Sequence, residues 1–274
     1  MKLSVMSYTL ARQVKDQSKF DIPAMCRLAN ELQIDGIDMV TTYGQKPSEL
    51  RRILDGFGVR TVCHTIMSDL NHADAAGRRA GVSAIQQGVD DAVALGTDKI
   101  MVVTPGRGDV PRDVTRRNYI AGLKEGLAFA QKAKITVTVE NFPGAASPFV
   151  TAADFIEARA EIPSLRLTFD SGNTFTGEDP AESFRQCAPY VVHAHFKDWD
   201  IVQGNAGMLG LDGRRYASAL IGEGVLDHRS TLAAMKKAGY KGYINIEYEG
   251  DKYKADDATR RAARYLREVI AQLP

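Results

Sequence analysis

The sequence predicts an α/β fold, a (β/α)8 TIM barrel built as one domain over residues 1–274. Three observations lead there. Short β-branched runs alternate with longer segments of helical periodicity, and that rhythm requires parallel strands joined by crossover helices. No low-complexity linker interrupts the 274 residues, and at that length closure into a barrel is economical, with a doubly wound open sheet as the rival. Finally, four of the runs carry an ionisable residue at or near their end, as in Thr136-Val137-Thr138-Val139-Glu140. A buried strand tolerates such a group only where it is paired, hydrated or bound to a cation.

Leu3–Tyr8 reads as the first strand, followed by a helix over Pro23–Leu32 with an apolar stripe at Met25, Leu28, Ala29 and Leu32. Gly36–Val40 is a short second strand, and Ser48–Phe57 is helical up to a stop at Gly58. Arg60–His64 forms the third strand, ahead of a helix from about Arg78 to Leu95. Lys99–Val103 is closed by Pro105-Gly106, and a long helix covers Arg112–Ala133. Thr136–Glu140 precedes a helix that the Thr151 hydroxyl can cap. Leu165–Asp170 is followed by a helix from Pro180. Val191–Lys197 and Tyr243–Glu247 are the last two strands, and Asp256–Gln272 is an amphipathic closing helix. The stretch Trp199–Leu226 is rich in glycine and reads as irregular. A loop of that length in a compact domain is usually functional, often a lid.

Hydrophobic residues make up 44% of the chain and charged residues 25%, which allows a substantial core. A net charge of +1 gives no reason to expect a nucleic-acid partner, and no run approaches the length of a membrane helix. A small molecule is the expected partner, and a homo-oligomer is compatible with the composition. Cys26, Cys63 and Cys187 are far apart and form no C-x-x-C pair, which favours free thiols and a reducing, cytoplasmic setting. The apolar start Met1–Tyr8 is short and lacks a small-residue cleavage site, so it reads as a strand rather than a leader.

In a barrel the loops after the strands build the active face, where Glu140, Asp170, His195 and Glu247 would meet from four neighbouring strands. Three carboxylates and one imidazole suit Mn²⁺, Mg²⁺, Co²⁺ or Fe²⁺ better than a sulfur-loving ion, and Zn²⁺ remains compatible. Each residue also has a bland explanation. Glu140 could pair with a lysine, Asp170 could cap the turn at Ser171-Gly172, and a histidine could be hydrogen-bonded in the core. Their joint occurrence at successive strand ends weighs against all of these together. His64, at the end of the third strand, is expected to face the same mouth and bind a substrate hydroxyl, an ordinary surface histidine being the alternative. Arg214 and Arg215 in the long loop either close over a polar ligand or are simply solvated.

The motifs Val139-Glu140-Asn141, Asp170-Ser171-Gly172-Asn173, His193-Ala194-His195-Phe196-Lys197-Asp198, Gly222-Glu223-Gly224-Val225-Leu226-Asp227 and Gly239–Glu247 are modest singly and specific in their order and spacing. Through them nearly the whole chain resembles the xylose-isomerase-like barrels, in particular the sugar isomerase/epimerase family of D-tagatose 3-epimerase-like and inosose dehydratase-like enzymes. The resemblance implies one divalent ion, manganese first, held by Glu140, Asp170, His195 and Glu247. It places the ligand at His195, with His193 on the same side of the strand one layer deeper. It further implies that Glu140 and Glu247 exchange a proton beside a carbonyl while the cation stabilises the enediolate. Asn173, His64 and Arg214 complete the expected site as substrate contacts.

Departures narrow the field. The same superfamily includes endonuclease IV, a trinuclear zinc enzyme, but Thr104, Asn173, Tyr216 and Ser218 stand where metal ligands would be needed, which argues against a nuclease. The Asp-x-Asp motif of a second xylose-isomerase metal is absent too. The expected function is an isomerase or epimerase of a ketose or related polyol ketone. A dehydratase or lyase acting on a keto-sugar or inosose is the alternative, and a sugar-binding barrel without turnover is a third. No glycine-rich phosphate cradle supports a sugar phosphate.

Overall fold

A computed structural model describes residues 1–274. The chain opens with β1 (Lys2–Met6), α1 (Ser7–Ala11), α2 (Ile22–Glu31), β2 (Gly36–Val40), α3 (Pro47–Gly56) and β3 (Arg60–Met67). It continues through α4 (Ala75–Leu95), β4 (Lys99–Val103), α5 (Arg112–Ala133), β5 (Thr136–Glu140), α6 (Ala152–Glu161), β6 (Arg166–Asp170), α7 (Ser171–Phe175) and α8 (Pro180–Cys187) to β7 (Val191–Phe196). There it leaves the barrel for β8 (Asp198–Val202), β9 (Met208–Leu209) and β10 (Arg215–Ala219), and returns by α9 (His228–Lys237), β11 (Tyr243–Ile246) and α10 (Ala255–Ala271). Strands β1 to β7 and β11 pair in parallel in chain order, and β11 closes onto β1 through Leu3↔Ile244 and Val5↔Ile246. The expected (β/α)8 barrel is therefore the observed fold.

Alternation along the strands divides two cores. Val139, Phe169, Phe196 and Ile246 join the apolar layer between barrel and helices, a cluster of 58 buried residues. Phe169 meets Phe184 of α8 edge-on with ring centroids 5.3 Å apart, and truncating either to alanine would cost about 3–5 kcal/mol. The alternate residues line the barrel interior, which most barrels fill with branched apolar side chains. Here it is polar: the Thr138 and Thr168 hydroxyls are 2.8 Å apart, and Ser4 donates to Asn245 at 3.1 Å. Helix starts are fixed locally. Thr151 and Asp154 form a reciprocal capping box on α6, and Asp74 accepts from the Gly77 N–H to start α4 at Ala75.

Several elements differ from the sequence expectation. The first strand ends at Met6, because Ser7 and Tyr8 enter the short helix α1. Strand β3 runs three residues past His64, to Met67. Helices α7 and α9 were not anticipated. The largest correction concerns Trp199–Leu226, which is not irregular: β8, β10 and β9 form an antiparallel sheet in that order. Its turns are made by glycines at positive φ, Gly207 at 70° and Gly213 at 79°, and these are what made the segment read as loop. No helix is long and apolar enough to cross a membrane.

Candidate active site

Four neighbouring barrel strands bring Glu140, Asp170, His195 and Glu247 to one point at their C-terminal ends. Asp170 and His195 are register partners, and Glu247 follows β11 with its N–H donating to Phe196 O at 3.0 Å. All four side chains are buried, and one ligand atom from each lies within 4.8 Å of the others. His195 Nδ1 is 2.5 Å from Glu140 Oε1 and 3.6 Å from Glu247 Oε2. Asp170 Oδ1 accepts the Asn173 N–H at 2.7 Å, which starts α7. Asp170 Oδ2 and Glu247 Oε2 are buried without a hydrogen-bond partner. Burial pushes the Asp170 carboxyl up to about 7 and the Glu247 carboxyl up to about 8, despite the Lys197 charge beside both. Carboxylates crowded this way are stabilised by a cation.

One layer deeper sits a residue that sequence reasoning missed. Asp38 of β2 is fully buried, and its Oδ2 lies 2.6 Å from His193 Nε2 and 2.8 Å from His195 Nε2. Burial opposes its charge, but the two imidazoles outweigh burial and hold it below the usual carboxylate range. Donation from His195 Nε2–H to Asp38 orients the ring so that Nδ1 faces the carboxylates. There it donates to Glu140 Oε1 when protonated and would offer its lone pair to a cation bound in the proton's place. For His195 too, burial disfavours the charged form, and the Glu140 and Asp38 carboxylates raise it well above its ordinary value. The available signal was an aspartate inside the apolar run Gly36–Val40, the same signal that marked the other four.

A second missed residue is Lys197. Its side chain is 6% exposed, with Nζ 2.7 Å from Glu247 Oε1, 3.3 Å from Glu249 Oε2 and 3.6 Å from Asp170 Oδ2. Burial works against its charge, and the carboxylates, Glu247 foremost, raise it well above the usual lysine value. Gly172 leaves room for the lysine stem, since a Cβ there would come within 2.4 Å of Lys197 Cγ. The next residue fastens the small sheet to the barrel. Asp198 accepts from the N–H groups of Trp199, Gly222, Gly224 and Leu226 and from His228 Nε2. Trp199 donates its indole N–H to Gly172 O at 2.7 Å, so the sheet is held over α7.

A cavity of about 390 Å³ opens above these groups, with Glu140, Lys197, Glu247 and Glu249 on its polar side. Met6, Val40, Met67, Met101 and Val103 form most of the facing wall, with Tyr8 and Thr65 among them, and Phe142, Pro143, Trp199 and Met208 complete it.

The three expected substrate contacts lie elsewhere. His64 does not reach the mouth. Because β3 continues to Met67, His64 is in mid-strand, buried, with Nδ1 2.9 Å from Met39 O and Nε2 3.9 Å from Asp91 of α4. The parity of the strand sends Thr65 and Met67 to the cavity instead. Asn173 is fully buried in α7, its side-chain oxygen and nitrogen both without partners, and does not line the cavity. Arg214 is half-exposed between β9 and β10, paired with Asp212 at 2.6 Å and stacked 5.3 Å from the Phe175 ring centroid.

With fold and site in view, comparison with known proteins defines the class. A model of the xylose isomerase-like TIM barrel family matches residues 26–269, and the chain belongs to that family. An inosose dehydratase of Lacticaseibacillus casei is 30% identical over 112 residues, covering 37% of this chain and 37% of its own length. The aligned region thus spans little more than a third of that relative. Among solved structures, an L-ribulose 3-epimerase superposes with a TM-score of 0.80 at 14% identity, covering 99% of this chain and 95% of that one. The IolI protein, solved with a zinc atom, gives 0.81 at 15% identity over 100% and 99%. At these identities the likeness to the solved structures concerns the fold alone.

Proposed function

We propose that this protein is a divalent-metal-dependent isomerase or epimerase that moves a proton at the carbon beside the carbonyl of a ketose or related polyol ketone. One observation carries the reading. Glu140 and Glu247, from strands with two others between them, approach a single nitrogen of His195 at 2.5 and 3.6 Å. Taking a proton from one face of a carbon and returning one to the other needs such a pair.

The residues fit a metal ion: two orphaned carboxylate oxygens, Glu140 and an imidazole nitrogen make a hard, oxygen-rich donor set suited to Mn²⁺, Mg²⁺, Co²⁺, Fe²⁺ or Zn²⁺. Bound there, the ion would supply Lewis-acid charge to the substrate's carbonyl oxygen. One glutamate accepts the carbon-bound proton and the other holds the proton that is returned. Asp38 keeps His195 in the required orientation. With a substrate seated against it the apolar wall would displace water, which strengthens the electrostatic interactions within the cavity. Lys197 is the one cationic side chain lining that cavity, which favours a neutral polyol over a phosphate ester.

A second outcome, loss of a neighbouring hydroxyl as water, is favoured by the placement of Lys197 against Glu247 and by a relative that carries the name inosose dehydratase. The test is incubation of Mn²⁺-loaded protein with D-tagatose, D-psicose and an inosose in deuterated water. Deuterium should enter at the carbon beside the carbonyl, and product mass separates isomerisation from dehydration. Absence of uptake from every substrate with Mn²⁺, Mg²⁺, Co²⁺ and Zn²⁺ would refute the reading.

A further inference from the structure

His64, Asn173 and Arg214 do not line the cavity, so a polyol seated there would meet other groups. Most of the polar lining is already engaged. Glu140 and Glu247 converge on His195, and Lys197 is bonded to Glu247 and Glu249. Trp199 gives its indole N–H to Gly172 O, and the Thr65 hydroxyl oxygen is buried. Two side chains remain. Glu249 uses only Oε2, on Lys197 at 3.3 Å, and its side chain is 32% exposed. The Tyr8 hydroxyl has no partner within the protein, and the residue is half-buried in the cavity wall. Both are held by their neighbours rather than by their own polar atoms. The Tyr248 N–H donates to Thr9 Oγ1 at 2.9 Å, and Arg12 Nη1 donates to Gly250 O at 3.0 Å. These bonds, one on each side of Glu249, tie the segment after β11 to α1, which carries Tyr8, and to the residue that follows it. A carboxylate and a phenol positioned in advance lose little freedom when they bind a ligand.

We propose that Glu249 and Tyr8 form a specificity subsite for substrate hydroxyls beyond the carbonyl and the carbon that exchanges its proton. Glu249 Oε1 accepts a hydrogen bond from one such hydroxyl, and the Tyr8 hydroxyl bonds the same group or the one beside it. The inference rests on the carbon-acid reading of the cavity and narrows its substrates. A hydrogen bond to a charged group contributes more than a neutral one, so Glu249 dominates the subsite and Tyr8 refines it. An analogue without the hydroxyl leaves a desolvated carboxylate oxygen unpaired, and a site built this way rejects it. A phosphate or carboxylate at that end of the ligand is repelled by Glu249. The ligands that fit are therefore uncharged polyol ketones whose hydroxyls continue past the reacting carbon.

The experiment uses the full chain loaded with Mn²⁺, with kcat/KM read as deuterium entering carbon from deuterated water. The probes are D-tagatose, D-psicose and scyllo-inosose, each with its monodeoxy forms. On the substrate that exchanges, Glu249→Ala should lower kcat/KM about 10–100-fold. With the parent protein, one monodeoxy form should lose about as much. The two losses should not add, so Glu249→Ala costs that deoxy form less than about threefold more, the sign of a direct contact. Glu249→Gln keeps an acceptor oxygen and should retain more activity than the alanine variant. Tyr8→Phe should cost about three- to tenfold on the full polyol. Equal losses of Glu249→Ala and Glu249→Gln on every substrate would assign Glu249 to its ion pair with Lys197 and overturn the inference. Loss of bound metal or of the fold in Glu249→Gln would overturn it too, and so would parent values in Tyr8→Phe. If the parent exchanges deuterium but no deoxy form is discriminated, the inference fails while the isomerase or epimerase reading stands. If the parent exchanges none of the probes, that reading fails first and takes the subsite with it.

Discussion

The two halves of the barrel mouth share one architecture and differ in what their strands deliver. Strands β5, β6, β7 and β11 end in or next to Glu140, Asp170, His195, Lys197 and Glu247, whereas β1 to β4 present Met6, Val40, Met67, Met101 and Val103 to the same cavity. Both halves obey the same period of two, and only the residue at the last inward position changes. The division separates chemistry from shape. On the proposed reading the ionic half holds a cation and moves protons, while the apolar half offers surface that a bound substrate would cover, displacing water and strengthening the interactions opposite it. It also bears on the carboxyls: burial is the main reason that Asp170 rises to about 7 and Glu247 to about 8.

The sharpest way to break this comparison is to neutralise the ionic half without changing its shape. Glu140→Gln and Glu247→Gln keep an oxygen ligand and remove basicity. Each should retain the fold and lower turnover by about 10²–10⁴, the scale of general acid–base catalysis, when assayed at saturating metal. If either metal-loaded variant exchanges the substrate's carbon-bound proton at the parent rate, that glutamate is not the base.

A smaller effect is expected one layer down. Asp38 touches His195 from below, so Asp38→Asn should weaken metal affinity by about 10–100-fold, the usual consequence of losing a partner behind a ligand. His195→Ala should weaken it further. His193→Ala should mainly lower the melting temperature, because His193 bonds Asp38 and meets the converging groups only through the His195 ring, edge-on with centroids 5.1 Å apart, without offering them a ligand atom. Competition with a metal-sensitive dye gives the order, and the reverse order for the two histidines would exchange their roles. Elemental analysis should find about one divalent ion per chain, as expected for one donor set of this kind. Three zinc ions would contradict it.

Those residues also mark what could be read in advance. Glu140, Asp170, His195 and Glu247 stood out because an ionisable group at the end of a β-branched run violates ordinary strand patterning. Asp38 carries the same signal in mid-strand, where it marks a polar barrel interior rather than the mouth. His64 was misplaced because a strand end was set three residues early, and in a strand any odd shift reverses the facing of a side chain. Lys197 was hidden for another reason. Its neighbours Glu247 and Glu249 lie 50 and 52 residues away, and nothing local distinguishes a buried lysine from a solvated one. The antiparallel sheet was obscured by glycines that serve turns as readily as loops.

The mildest test falls on the apolar half. Met67 lines the cavity yet is 59% exposed, so its side chain has apolar surface for a ligand to cover. Truncation to alanine leaves little void in the protein, and stability should change by no more than about 0.5 kcal/mol. What would be lost is contact with carbon-bound hydrogens of the proposed polyol substrate. Covering one or two methylene equivalents is worth about 1 kcal/mol, so KM should rise about fivefold. Because that contact is the same in the ground state and the transition state, kcat should stay near the parent value. Steady-state kinetics on the substrate found by deuterium exchange separates the two parameters. A fall in kcat comparable with that of Glu247→Gln would mean that the methionine wall takes part in the chemical step, and the division between a reactive half and a shaping half would no longer hold.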